Sequence, residues 1–146
     1  MSKKQVIVKY KKLNPEAVAP CLAHATDHGF DLTAVTRDGC ANGLKYGCGL
    51  AFELPDGIHA EIRARSSVFK TGLILSNGVG TLDNGYRGEV FSVFYPVGSD
   101  CRPYVVGDRF AQLIFVGVDP RNIVFEEVDA LADSDRGANG YGSTGK

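Results

Sequence analysis

The chain reads as an all-β protein, a jelly-roll-like barrel or sandwich that ends in a flexible Gly-rich arm. Three observations carry that expectation. Apolar residues recur mostly at every second position and seldom with a helical period. The apolar runs are short and are separated by turn signals at Pro55-Asp56-Gly57, Asn77-Gly78, Asn84-Gly85 and Gly107-Asp108. About eight strands at such spacing suit an antiparallel barrel or jelly roll.

The elements follow in order. Val6, Val8 and Tyr10 alternate with Gln5, Ile7 and Lys9, which predicts a first strand. His24 and His28 have the i, i+4 spacing of a helical metal pair, but Thr26-Asp27 and Gly29 favour a loop, and no ligand role is assigned to them. Ala60, Ile62 and Ala64 alternate with Glu61, Arg63 and Arg65, the pattern of a strand with one wet face. Ser66-Ser67 then suits the capped start of a helical turn. Asn84-Gly85 is read as closing a tight hairpin between two apolar strands, since both residues tolerate positive φ. Val90 to Val97 and Phe110 to Val118 are apolar on nearly every position and are expected as buried strands; a short helix is expected near Ala130. Residues 1–133 make the β domain. Residues 134–146 hold four glycines and one large side chain, Tyr141, so in isolation this arm is expected to be disordered.

Composition narrows the function. The 146 residues fit one domain that folds without staples. Sixteen basic against seventeen acidic residues leave a net charge of −1, which argues against a nucleic-acid partner. No apolar run approaches the ~20 residues that span a bilayer. The start, M-S-K-K-Q-V-I-V-K-Y-K-K, lacks the apolar core of a secretory signal, so no membrane partner and a cytoplasmic protein are expected. Cys21, Cys40, Cys48 and Cys101 form no C-x-x-C pair, which speaks against a zinc site, and are read as reduced, mostly buried thiols.

Four segments carry groups that suit chemistry. Asp83 lies three residues before Tyr86 at one Gly-rich turn, where a carboxylate can serve as a general base and a ring can shape what binds. On its own the segment fits a turn-supporting Asp as well. Arg65, Ser66 and Ser67 combine a guanidinium, two hydroxyls and the N–H groups of a following turn, a phosphate cradle or else a capped start with a solvated Arg. Gln112 shares a predicted strand face with Phe110 and Ile114, and its amide needs a partner there, either backbone or a ligand oxygen. Gly140 to Lys146 imitates the first seven positions of a Walker A loop, but the final Ser/Thr and the following helix are missing, so a P-loop is rejected. Arg136 with the Gly, Ser and Thr around it can still wrap a phosphate, with Tyr141 over a planar ring.

The ordered series is G-F-D-L (29–32), A-R-S-S (64–67), S-N-G-V-G-T-L-D-N-G-Y-R-G-E (76–89), G-D-R-F-A-Q-L-I (107–114) and R-G-A-N-G-Y-G-S-T-G (136–145). In order and spacing it resembles the five motifs of the trimeric deoxyuridine triphosphatase (dUTPase) family, from about Leu13 to Lys146.

The resemblance implies a homotrimer whose active sites are shared between chains, with the arm folding over a neighbour's site. It implies hydrolysis of dUTP to dUMP and pyrophosphate, which keeps uracil out of DNA and supplies dUMP for thymidylate synthesis. Asp83 matches the residue that activates the water attacking the α-phosphorus. Arg65, Ser66 and Ser67 match the holders of the phosphate chain, Gln112 an α-phosphate contact, and Arg136, Ser143 and Thr144 the γ-phosphate clamp. Asn77 and the backbone from Gly80 through Thr81 and Leu82 to Tyr86 match the uracil-reading edge. Tyr86 matches the ring against deoxyribose, and Tyr141, followed by Gly142, the aromatic stacked on uracil. Mg2+ is expected as cofactor, held mainly by substrate phosphates, with Asp31 touching it through water or else anchoring a turn. Ala64 stands where Pro is common, Ser67 where Gly is common and Tyr141 where Phe is usual; none removes a catalytic group. Two alternatives share the fold or the motifs: a dCTP deaminase or bifunctional dCTP deaminase/dUTPase, which A-R-S-S favours but the lack of a Glu before Glu89 in the turn opposes, and a non-catalytic nucleotide-sensing protein.

Overall fold

The computed structural model describes residues 4–140 and 145. Its strands are β1 (Val6–Lys12), β2 (Phe30–Thr33), β3 (Thr36–Cys40), β4 (Gly43–Gly47), β5 (Leu50–Glu53), β6 (Ala60–Arg63), β7 (Leu73–Leu75), β8 (Val79–Leu82), β9 (Phe91–Pro96), β10 (Arg109–Phe115) and β11 (Ile123–Glu127). Short 3-10 turns cover Ser66–Lys70 and Pro120–Asn122. The strands form three sheets, ordered β11-β1-β5, β2-β10-β6-β8 and β3-β4-β9-β7. All pairings are antiparallel except β1 with β11.

Alternation builds the first sheet as the sequence predicts: β1 buries Val8 and Tyr10 and turns Ile7 and Lys9 outward. The core has two aromatic centres. Tyr46 stacks on Phe110 and meets Phe94 and Tyr104 edge-on, with centroids 5.7 to 5.9 Å apart. Phe30, Phe115 and Phe125 form the other, with centroids 5.0 to 6.0 Å apart. Such contacts contribute about 0.5–1.5 kcal/mol per pair beyond burial, and they tie β2, β10 and β11 together.

Several local expectations give way to tertiary context. Asn84-Gly85 does not close a hairpin: β8 pairs with β6 and β9 with β4 and β7, so this turn hands the chain from one sheet to another. Neither residue takes a positive φ, and the turn is closed by Tyr86 N–H donating to the Asp83 carbonyl at 3.1 Å. The run Val90 to Val97 is buried only through Phe94. Beyond it Tyr95 and Val97 emerge, because β9 outruns the core. In the same way β10 stops at Phe115, and Val116 is exposed. A register shift between Arg109 and Ala111 breaks the alternation of β10, so Phe110 is fully buried while Gln112 and Ile114 lie half-exposed. Residues 128–132 form no helix; Val128 N–H donates to Tyr10 O and Ala132 N–H to Glu53 Oε2, which extends the first sheet's edge. The turn that does form nearby is capped by Asp119, which accepts from Arg121 N–H at 3.0 Å.

The helical turn expected after Ser66-Ser67 is present as 3-10, but its N-cap is Arg65 in an extended conformation and no side chain caps it. The serine hydroxyls are thus not spent on the helix start. All four cysteines are free, yet only Cys48 is buried; Cys21 and Cys40 are exposed and Cys101 is intermediate, so the expectation of mostly buried thiols fails. Burial pushes the Cys48 thiol up to about 12. Among the described residues no helix is long and apolar enough to cross a membrane.

Candidate active site

The chain presents two polar cavities at opposite ends of β6. The first surrounds the turn after β8. Thr81, Leu82, Asp83, Tyr86, Glu89 and Arg136 line a cavity of about 180 Å³. The Tyr86 ring is fixed twice. Its hydroxyl donates to Glu89 O at 2.8 Å, and the ring lies over Gly88, where a Cβ would stand 2.5 Å from that hydroxyl. Any side chain at position 88 would therefore displace the ring.

Asp83 leaves the end of β8 half-exposed, and its Oδ2 accepts from Arg136 Nη1 at 2.5 Å. The same guanidinium lies 5.9 Å from the Tyr86 ring centre, in cation–π range. The arm's first residues thus engage the turn of their own chain. Ser134 Oγ donates to Gly85 O, Arg87 N–H to Gly137 O at 2.6 Å, and Tyr86 bridges Gly137. Arg87 secures the root of the arm, donating from Nε to Ala132 O and from Nη1 to Asn84 O, both at 2.7 Å.

Asn84 fixes the turn from the other side. Its Nδ2 lies 2.7 Å from Pro55 O, 2.8 Å from Ile58 O and 3.3 Å from Leu54 O. Two hydrogens serve three carbonyls, so the amide pins the whole 54–58 loop beneath Asp83. Asn84→Ala removes these bonds and is expected to cost about 1–3 kcal/mol of stability, read as a lower urea midpoint with unchanged slope. An unmoved midpoint would show that water replaces the amide at no cost.

The second cavity is a cleft of about 490 Å³ lined by Asp31, Arg65, Ser66, Gln112, His24 and His28 among others. Asp31 is its keystone. The carboxylate is buried, and it accepts from Arg65 Nε at 3.1 Å and Arg109 Nη1 at 3.0 Å. Arg65 Nη1 also reaches Arg109 O at 3.3 Å. Losing both guanidiniums would leave a buried carboxylate uncompensated, far costlier than losing a surface bridge. Gln112 Nε2 donates to Ala64 O at 3.0 Å, and its Oε1 lies so close to Gly29 that a Cβ there would stand 1.9 Å away. Glycine at 29 is what lets the amide sit flat over the cleft.

Asp83, Tyr86, Thr81, Leu82 and Arg136 therefore share one cavity, and Arg65, Ser66, Gln112 and Asp31 share the other. Asn77 stands at the far end of β8 with its amide over Gly80. Ser67 follows Ser66, half-buried, on the 3-10 turn. Tyr141, Gly142, Ser143 and Thr144 lie outside the described residues. The register explains the division. Leu82, just before Asp83, pairs with Ala60, whereas Gln112 pairs with Arg63, just before Ala64 and Arg65. Ala60 and Arg63 stand three steps of ~3.3 Å apart, so the two pairings are offset by about 10 Å along β6. Arg109, Arg87 and Glu89, whose Oε1 accepts from Gly49 N–H at 3.0 Å, escaped sequence reasoning. No local spacing signals an arginine whose partners are backbone carbonyls or a residue 78 positions away.

The fold is that of solved dUTPases. The chain superposes on the dUTPase of Staphylococcus bacteriophage 80alpha, solved with dUpNHpp, with a TM-score of 0.64 at 21% identity, covering 95% of this chain and 98% of the other. A dUTPase of S. aureus phage phi11, which coordinates a structural Mg(II) ion, gives 0.61 at 21% identity over 76% and 90% of the two chains. Sequence comparison is more specific. The dUTPase family model matches residues 15–145, and the chain belongs to that family. It is 36% identical to the deoxyuridine 5'-triphosphate nucleotidohydrolase of Solibacter usitatus, covering 95% of this chain and 96% of the relative. It is 40% identical to that of Thermobifida fusca, covering 96% and 79%.

Proposed function

We propose that the protein is a dUTP diphosphatase, hydrolysing dUTP to dUMP and pyrophosphate. The observation that carries this reading is the cavity that sets the Asp83 carboxylate beside the fixed Tyr86 ring and the end of β8. Uracil lies along the Gly80–Leu82 backbone, whose N–H and C=O groups match its edge and mismatch that of cytosine. Tyr86, held against Gly88, blocks a 2′-hydroxyl. Asp83 accepts a proton from the water that attacks the α-phosphorus, a general-base role. Arg65, Ser66, Ser67 and Gln112 hold the phosphate chain, where oriented donors neutralise developing charge.

Arg136 has two anionic partners to choose between. Its pair with Asp83 has side chains 36% and 46% exposed, and pairs so open to solvent contribute about 0–1 kcal/mol. A triphosphate carries several negative charges and outcompetes one carboxylate. Substrate thus draws Arg136 from Asp83 and frees the base for water, while residues 134–146 close as the arm.

Magnesium fits this site only as part of the substrate. Among the described residues no three His, Cys, Asp or Glu side chains converge to hold a metal. Asp31, the buried carboxylate of the cleft, is already bonded to two guanidiniums. Magnesium would be held by the substrate's phosphates and would screen their charge, while Asp31 serves to aim Arg65.

Within one chain the Asp83 cavity and the Arg65 cleft share no lining residue, so neither alone presents both the base-facing and the phosphate-facing groups. The complete site therefore takes the Asp83 cavity from one chain and the Arg65 cleft from another, in a symmetric trimer. Asp83→Asn and Arg65→Ala chains, each inactive alone, should regain about a quarter of parental activity when refolded together, since random closed assembly unites two intact halves at one site in four. No recovery from the mixture would place both halves of a working site in one chain.

Pyrophosphate release from dUTP, dCTP, dTTP and UTP with Mg2+ tests the activity itself. Release from dUTP alone is expected. Ammonia from dCTP would move the protein to the deaminase branch, and silence on all four nucleotides would leave a nucleotide-sensing protein.

A further inference from the structure

The anion cleft rests on a buried hydroxyl that the fold leaves without a partner. Tyr104 is 7% exposed. Its ring meets Tyr46 and Phe94 edge-on, with centroids 5.9 and 6.0 Å away. Its carbonyl accepts from Tyr46 Oη at 2.8 Å and Arg37 Nη1 at 3.2 Å. Ring and backbone are thus fixed, yet the Tyr104 hydroxyl is the buried side-chain polar atom among the described residues that has no hydrogen-bond partner. Phenylalanine would pack the same ring without an unpaired hydroxyl, so packing does not explain this tyrosine.

The surroundings of the hydroxyl do. Burial pushes the phenol up, and the groups that pull the other way are the Arg65 guanidinium and the Ser67 hydroxyl, both from the anion cleft's own segment. Ser67 is thus near enough to act on the phenol, yet no hydrogen bond joins them. It is half-buried, on a turn pinned by Val68 N–H to Arg65 O and Thr71 N–H to Val68 O.

We propose that Tyr104 is a positioning residue of the anion cleft: when a phosphate oxygen settles on Ser66 and Ser67, the Tyr104 hydroxyl donates to Ser67 Oγ, and Ser67 turns its own proton to the phosphate. The inference rests on the reading of Arg65 to Ser67 as a phosphate holder. A hydroxyl donates and accepts at once, and each bond in such a chain strengthens the next.

The test is a double-mutant cycle with Tyr104→Phe and Ser67→Gly, read by calorimetric binding of a non-hydrolysable imido analogue of dUTP and by melting. Each single change is expected to weaken binding about two- to ten-fold, and the double variant to bind no more weakly than the worse single one. Tyr104→Phe should raise KM with kcat unchanged, and should melt no lower than the parent. Parental binding by Tyr104→Phe, losses that multiply in the double variant, or affinity lost together with melting temperature would each overturn the role. A parent that fails to bind the analogue would bring down the phosphate reading and the proposal together, whereas a binding parent with an unmoved Tyr104→Phe overturns the positioning role alone.

Discussion

Asp83→Asn should lower dUTP turnover by about 10²- to 10⁴-fold, the usual contribution of a positioned general base, while binding of an imido dUTP analogue is kept or tightened. The amide is the same size as the carboxylate, and the turn is closed by the backbone bond from Tyr86 N–H to the carbonyl of residue 83, which the change leaves intact. What disappears is the proton acceptor and a negative charge near the incoming triphosphate. Arg136 also loses its resting partner and becomes free to meet phosphate. Initial rates of pyrophosphate release and calorimetry on the same preparation separate the two effects. Turnover that survives Asp83→Asn but is lost in Glu89→Gln would move the base to the other carboxylate of the cavity.

Deleting residues 135–146 should reduce turnover about 100-fold or more, as expected when the group that orients a leaving phosphate and excludes water is removed, and should leave the fold intact. Among the described residues the deleted segment contributes the half-exposed pair of Arg136 with Asp83, the Gly137 contacts and part of the cavity wall. Arg87 keeps its bonds to Ala132, Asn84 and Tyr86, and Ser134 keeps its bond to Gly85. Circular dichroism and gel filtration of the truncated chain should match the parent. A monomeric or unfolded product would make the arm a structural element, and near-parental turnover would remove Arg136 from the mechanism.

Strand periodicity and the motif series were legible in the sequence because both are local. The wet-faced Ala60–Arg63 strand, the first strand and the 3-10 turn after Arg65 stand where the residues predict them. The misreadings all involve an event that local pattern does not record. Asn84-Gly85 looks like a hairpin turn, but its amide is committed to the 54–58 loop and its strands belong to different sheets. Gln112 falls off the face it seemed to share with Phe110 because the register of β10 slips near Arg109. Asp31 carries no mark in G-F-D-L of the two arginines, 34 and 78 residues away, that occupy it. The motif series marks the residues of the proposed site, but only the pairing of β6 with β8 on one side and β10 on the other shows that they fall in two separate cavities of one chain.

That arrangement makes β6 a measuring rod. Its four residues carry little chemistry, yet their number sets how far the Asp83 cavity stands from the Arg65 cleft, and so, on the proposed shared site, the pitch at which copies would join. Substitutions along it that keep the inward-outward alternation are absorbed one at a time. Insertion of a single residue shifts one half by about 3.3 Å and turns the following side chains to the other face. Selection on this strand therefore acts on its length more than on its letters, and lineages of this protein should vary in the composition of β6 while never changing its count.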